Sequence, residues 1–342
     1  MTVREERGMD QVGFALGYGK FTDVHEMARL MREAEERGFA MGFFSETIEL
    51  MRDSVTALSA IGLATRRLVL GTTQIVRLRS PVVMAQTAAS LDELTGGRMT
   101  IAPGACTRSH ARVHALPEAD PVQTLREWVE VIRLLLTGQR ISYDGTHVRL
   151  HGVGLGWTPP RQTIPIYIPA TSRAGLRLAG EIGDGVVLNA VCSPEYTRNA
   201  LRIVREAAQR AGRDLSTFVV AQIINVSVED DHAAALDAIR WEVATKFDPV
   251  QLPFIAGPKM RVGEPYIHAE DIPRFEAAYR QGGMEALIRA IPDAYVEGMT
   301  ASGTPDEVRR RVQAYRDAGV QIPLLRPAAA HQTRRVLEMF GR

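Results

Sequence analysis

Glu46 and His110 are the side chains whose type and place in the sequence best suit proton transfer. Glu46 follows the apolar run Ala40 to Phe44, and His110 follows the run Arg98 to Ala102 and a small, polar loop. A histidine near its ordinary pKa gives or takes a proton at neutral pH, and a carboxylate can act as a base. Each also has a plainer role open to it: Glu46 as the charge partner of a neighbouring arginine, His110 as an orienting or surface residue. Other apolar runs end in Tyr18, in Thr72 and Gln74, in Thr107 and Arg108, in Asn189 and in Arg326. This set is polar, yet it pairs no nucleophile with a base, and no Gly-x-Ser-x-Gly turn occurs. His110 and His114 have the i, i+4 spacing of helical metal ligands, but no third ligand accompanies them and no metal is expected. A pocket so poor in acids and nucleophiles implies that a bound cofactor carries the chemistry.

A second constellation suits an anion. Thr171 and Ser172 stand between an apolar run and a helical stretch, with Arg173 just inside the helix. Free backbone amides, two hydroxyls and a guanidinium at a helix N-terminus make a phosphate site, although the same residues also make an ordinary N-cap.

The elements that must position these residues are legible from periodicity. Strands are expected at Val12–Leu16, Ala40–Phe44, Leu68–Leu70, Arg98–Ala102, Ile164–Ile168, Val186–Asn189, Phe218–Val228 and Val320–Leu325. Amphipathic helices separate most of them. The plainest is the one opened by Ser80-Pro81, N-cap and first helical position, and closed by Gly96-Gly97. Strand, helix, strand in succession implies parallel βαβ units. Eight such strands in 342 residues without a compositional break imply a single (β/α)8 TIM-barrel domain over residues 1–342. Residues 139–151, with Asp144-Gly145, read as a hairpin insertion, and 248–296 as a long insertion of the kind that covers an active site. Chemistry is then expected at the carboxyl ends of the strands. Gly152, Gly154 and Gly156 lie in a loop with no helix after them, so they form no dinucleotide fingerprint.

The wording of the third unit adds a resemblance. RSPVVMAQTAASLDELTGGR, residues 79–98, resembles the helix of the bacterial luciferase-like superfamily, nearest its deazaflavin-dependent branch, which includes the methylenetetrahydromethanopterin reductases. Segment 164–189 and GTPDEVRRRV at 303–312 are similar to further parts of that family. The resemblance implies coenzyme F-420 as cofactor, and it places Thr171, Ser172, Arg173 and Asn189 at the cofactor's phosphate. It also implies a non-proline cis bond at Gly71-Thr72 supporting the tricyclic ring. The loop carrying Gly104, Thr107 and His110 would then lie at the ring's pyrimidine edge. Phe14, Tyr18, Gln74 and Trp157 are expected to line the substrate side. Acid–base positions depart from the family: Ala15 and Thr107 stand where relatives carry glutamates, and Glu46-Thr47 stands in place of an Asp-His pair.

The expected function is hydride transfer between the deazaflavin and a small organic substrate. The alternatives are an FMN-dependent luciferase-like monooxygenase and a cofactor-binding member with a degenerate catalytic site. A homodimer through helices two and three is implied by the family, with Met84, Ala88 and Leu91 as one candidate face. A net charge near +1 gives no electrostatic case for nucleic acid or an anionic membrane. Cys106 and Cys192 form no Cys-x-x-Cys pair, no apolar run reaches the length of a membrane span, and a cytoplasmic enzyme is expected.

Overall fold

Apolar runs and amphipathic stretches alternate along the chain. In the computed structural model, which describes residues 11–16, 23–106 and 108–342, they become strands and helices. The first half comprises β1 (Gly13–Ala15), α1 (Val24–Glu36), β2 (Met41–Ser45), α2 (Ser54–Ala64), β3 (Val69–Ile75), α3 (Pro81–Leu94), β4 (Met99–Gly104), α4 (Arg108–Val113) and α5 (Pro121–Leu136). A hairpin follows, β5 (Ile141–Asp144) and β6 (Arg149–Val153), and then β7 (Tyr167–Ala170), α6 (Arg173–Ile182), β8 (Gly185–Leu188), α7 (Pro194–Arg210), β9 (Val219–Val228) and α8 (His232–Ala244). The chain closes with α9 (Ala256–Val262), α10 (Ile272–Ala290), α11 (Asp293–Met299), β10 (Ala301–Gly303), α12 (Pro305–Asp317), β11 (Ile322–Pro327) and α13 (Ala330–Phe340).

The parallel strands run in the order β4-β3-β2-β1-β11-β9-β8-β7. Closure comes at Ile101 of β4, whose N–H donates to the Pro165 carbonyl at 3.1 Å, beside a bridge to Ile166. This is the expected (β/α)8 barrel. A short additional strand, β10, pairs with the far end of β9, with Gly303 opposite Val228.

Pleating sorts the side chains into two cores. Ala15, Phe43, Ala102, Val187, Ile223 and Leu324 face into the barrel. Their neighbours Phe14, Phe44, Leu70, Ile101, Leu188 and Leu325 face the helices. The inner core runs on into the long insertion, where Phe247, Phe275 and Tyr295 pack edge to face with centroids 5.2 to 5.5 Å apart.

β3 runs five residues past the expected end at Leu70. Thr73 lies opposite Ser45 of β2 and Ala102 of β4, so residues 71–73 are paired on both edges, and Gln74 continues the pairing with β4. Small and polar residues hid this continuation from a reading based on apolar runs.

Candidate active site

Backbone strain marks one end of the barrel. Among the described residues, the non-glycine residues with positive φ are Glu49 (72°), Arg77 (71°), Ala115 (52°) and Val191 (57°). All of them lie in the connections after β2, β3, β4 and β8, at the carboxyl ends of the strands. A left-handed non-glycine residue costs on the order of 1–2 kcal/mol and persists only where its surroundings hold it, commonly at functional sites.

Two buried charge networks stiffen that end. Glu46, just beyond β2, accepts at Oε1 from Arg79 Nη1 (2.6 Å) and Ser54 Oγ (2.6 Å), and at Oε2 from the Ile75 amide (2.8 Å). Its own amide donates to Thr73 Oγ1 at 3.1 Å. The sequence left Glu46 between proton transfer and ion pairing, and the structure commits both its oxygens to partners. The second network joins Arg326 at the end of β11 to Asn225 Oδ1 (2.9 Å, through Nε) and to Glu242 of α8 (2.9 Å, through Nη2); Asn225 also donates to Glu242. Asn225 and Arg326 lie two residues beyond the barrel-facing Ile223 and Leu324, so they share the inward face.

The residues of the expected anion constellation lie at the ends of β7 and β8. Ser172 caps α6, its Oγ accepting from the Gly175 amide at 3.2 Å. The amides of Arg173 and Ala174 precede the helix's own ladder and point out of its N-terminus. Tyr196 of α7 donates to the Thr171 carbonyl at 2.9 Å and holds this loop. Asn189 stands at the end of the adjacent strand β8, its Oδ1 accepting from the Ala190 amide at 2.8 Å. Arg173 is exposed and donates through Nε to the Arg261 carbonyl of the insertion at 2.8 Å. Two amides, two hydroxyls, a guanidinium and a carboxamide form a donor set that fits a phosphate.

Several expected site residues lie elsewhere. Phe14 is buried against Phe39 in the outer core, 6.1 Å between centroids, and does not face the barrel mouth. Gly71 points inward, but a Cβ there would come within 2.3 Å of Met41 Cε and 2.6 Å of Phe43 Cδ2, so its place is filled by core side chains. Thr72 and Gln74 turn the other way, towards α2: Thr72 is fully buried, and Gln74 Nε2 sits 3.4 Å from Ser54 Oγ. No cis peptide bond occurs among the described residues, and Gly71-Thr72 is a trans unit within a paired strand. Trp157 packs on the outer core beside Thr158, which lies against Gly138 at the end of α5. Nearby Arg161 bonds Asp92 and the Met99 carbonyl where β4 begins, so this region is at the opposite end of the barrel from the strained loops. Gly104 keeps its place at the mouth, where a Cβ would meet only the Gln74 carbonyl at 3.8 Å. Tyr18 and Thr107 lie outside the described residues, as does the side chain of His110. Met84, Ala88 and Leu91 are core, not an open face.

Sequence reading passed over Thr73, Asn225, Glu242 and Lys259. The alternation Val69, Gly71, Thr73, Ile75 would have found Thr73 once β3 was read to its true end. Glu242 and Lys259 gave no such signal, because an isolated charge on a helix looks like a solvated one until the packing is known.

A family model described as luciferase-like monooxygenase matches residues 8–321. A 5,10-methylenetetrahydromethanopterin reductase of Archaeoglobus fulgidus is 28% identical over 303 residues, covering 86% of this chain and 87% of its own. An F-420-dependent glucose-6-phosphate dehydrogenase of Nakamurella multipartita is 29% identical over 332 residues, covering 92% and 90%. Among solved structures, the coenzyme F-420-dependent tetrahydromethanopterin reductase of Methanopyrus kandleri superposes with a TM-score of 0.81 at 23% identity, covering 97% of this chain and 98% of its own.

Proposed function

The chain belongs to the luciferase-like monooxygenase family, and from that membership we propose that it is a coenzyme F-420-dependent oxidoreductase acting on a small organic substrate. The observation that carries the reading is the donor set at the N-terminus of α6, which suits the phosphate of a nucleotide-like cofactor and sits at the same end of the barrel as the strained loops. Bound there, the deazaflavin would supply two-electron hydride chemistry.

The chain's own residues bind and orient. The Thr171 and Ser172 hydroxyls, the Arg173 and Ala174 amides and Asn189 hold the anionic tail. Gly104 lets a flat ring approach the backbone of the β4 end. Glu46 serves as an anchor, fixing the β2 and β3 ends through Arg79 and the Ile75 amide. Proton transfer is assigned to His110 on α4, on its place in the sequence after β4. The shared inner core supports one domain for barrel and insertion. No helix of the described residues is long and apolar enough to cross a membrane, and a cytoplasmic location is part of the proposal. So is a homodimer: on the neighbouring helices α2 and α3, Leu63, Val83 and Leu94 are exposed.

Titration of the purified protein with coenzyme F-420 and with FMN, read by fluorescence and absorbance, tests the assignment. Saturable F-420 binding without an FMN response is expected. FMN binding with oxygen consumption would overturn it in favour of a flavin monooxygenase, and binding of neither would remove the phosphate assignment.

A further inference from the structure

Of the chain's 41 lysines and arginines, only Lys20, Lys246 and Lys259 are lysines. Lys259, on the insertion helix α9, is buried in the protein interior. Its Nζ donates to the carbonyls of Ala190 and Val191, each at 2.7 Å. These are the two residues that follow Asn189 at the end of β8. Val191 is left-handed, φ 57°, which a β-branched residue adopts only under constraint. The next two residues are held as well. The Cys192 carbonyl accepts from Tyr315 of α12 at 2.7 Å, and the Ser193 amide donates to Glu264, just beyond α9, at 2.7 Å. Four consecutive backbone units are therefore fixed by side chains, three of them from α9 and the residues that follow it. The same helix accepts Arg173 at the Arg261 carbonyl, so it touches both loops of the anion constellation. A compact ammonium on a flexible stem suits two converging carbonyls in a buried space, where lysine stands in a chain that mostly uses arginine.

We infer that Lys259 is a positioning residue: its ammonium holds the strained loop after β8 in the one conformation that presents Asn189 to the anionic tail of the cofactor. The insertion and the tail site are thereby one unit. Asn189 and the α6 N-terminus come from separate strands, and their relative placement depends on a side chain that touches neither ligand nor substrate. The inference rests on the proposed cofactor assignment for its ligand, while the clamp itself is testable without any ligand.

The test is titration of wild-type protein and Lys259→Met with coenzyme F-420 and with its chromophore lacking the phosphate-bearing tail, combined with melting temperatures of both proteins with and without Val191→Gly. If K259M leaves the presenting conformation about one-tenth populated, F-420 affinity falls about tenfold while affinity for the tail-less chromophore stays unchanged. Equal loss for both ligands, or no loss for either, overturns the positioning role. Should K259M prove insoluble, Lys259→Gln, whose neutral amide keeps a polar group but stops one bond short of the two carbonyls, is read in the same titrations, with a loss in the same direction and no larger. Glycine adopts the left-handed region freely. Val191 is buried, so V191G also loses packing, and relief of strain reads as coupling: the variant lowers the melting temperature less in wild type, where the clamp imposes strain, than in K259M, where the loop is free to relax. An equal loss in both backgrounds overturns the clamp. If wild-type protein binds neither chromophore, the cofactor assignment fails, and the melting temperatures still decide the clamp.

Discussion

Glu46 shows how a residue's neighbours choose between its possible roles. A carboxylate taken out of water must be paired and hydrogen-bonded, and Glu46 is both, through Arg79, Ser54 and the Ile75 amide. Arg79 is itself only 14% exposed at its side chain, so the pair is shielded from solvent screening. Replacing Arg79 with Met should leave the carboxylate buried without its cation and cost roughly 3 kcal/mol, read as a lower urea midpoint at unchanged slope. Glu46→Gln separates the two roles. As an anchor, its loss lowers the melting temperature and leaves the pH profile of turnover in place; as the proton carrier, its loss would remove one limb of that profile.

At the scale of elements, carboxylates recur as anchors for backbone that no ladder satisfies. Glu127 of α5 accepts the Thr146, His147 and Val148 amides at 2.9, 2.7 and 2.8 Å, so the hairpin turn is fastened to a barrel helix. Glu35 of α1 does the same for Arg66, Arg67 and Leu68 as the chain enters β3. Burial pushes both carboxyl groups up, and the hydrogen bonds more than reverse it, leaving both below their ordinary range. Glu127→Ala would strand three amides. Exchange at 146–148 should speed up, and stability should fall by about 2 kcal/mol, with little effect on cofactor binding, because the hairpin lies outside the barrel mouth. Loss of F-420 binding in this variant would show that the hairpin is coupled to the site.

Across the whole molecule, His232 at the start of α8 bridges two later elements, with Nδ1 3.1 Å from Glu307 of α12 and Nε2 3.0 Å from Glu297 of α11. The bonds to Glu307 and then Glu297 raise the imidazole's pKa above 6.5. Its contribution is full below pH 6.5 and is lost as pH rises through the folded value. Glu307 is held down to about 2 by the Thr304 amide, His232 and the Thr304 hydroxyl; its contribution holds above pH 4.5 and is lost as pH falls. The bridge is thus strongest between pH 4.5 and 6.5. His232→Gln should lower the melting temperature near about pH 5.5 and leave it unchanged near about pH 9. For assembly, Leu63→Glu with Val83→Lys should shift the light-scattering mass to that of a monomer if α2 and α3 form the dimer face.

The barrel is legible in the sequence, because apolar alternation, Ser-Pro starts and Gly-Gly stops are local signals that each element carries within its own length. The Ser172 cap of α6 and the Asp144-Gly145 hairpin are local in the same way, their residues lying side by side in the chain. Which face each strand residue takes follows from strand register, and register is set by packing across the whole barrel. The register of β3 turned Thr72 and Gln74 away from the mouth and left Gly71 under Met41 and Phe43. Only packing showed that Glu46 is an anchored ion and that Lys259 reaches the loop after β8 from 68 residues away. Pairings of that kind have no local signature: the partners are brought together by the closure of the barrel and the insertion that folds over it.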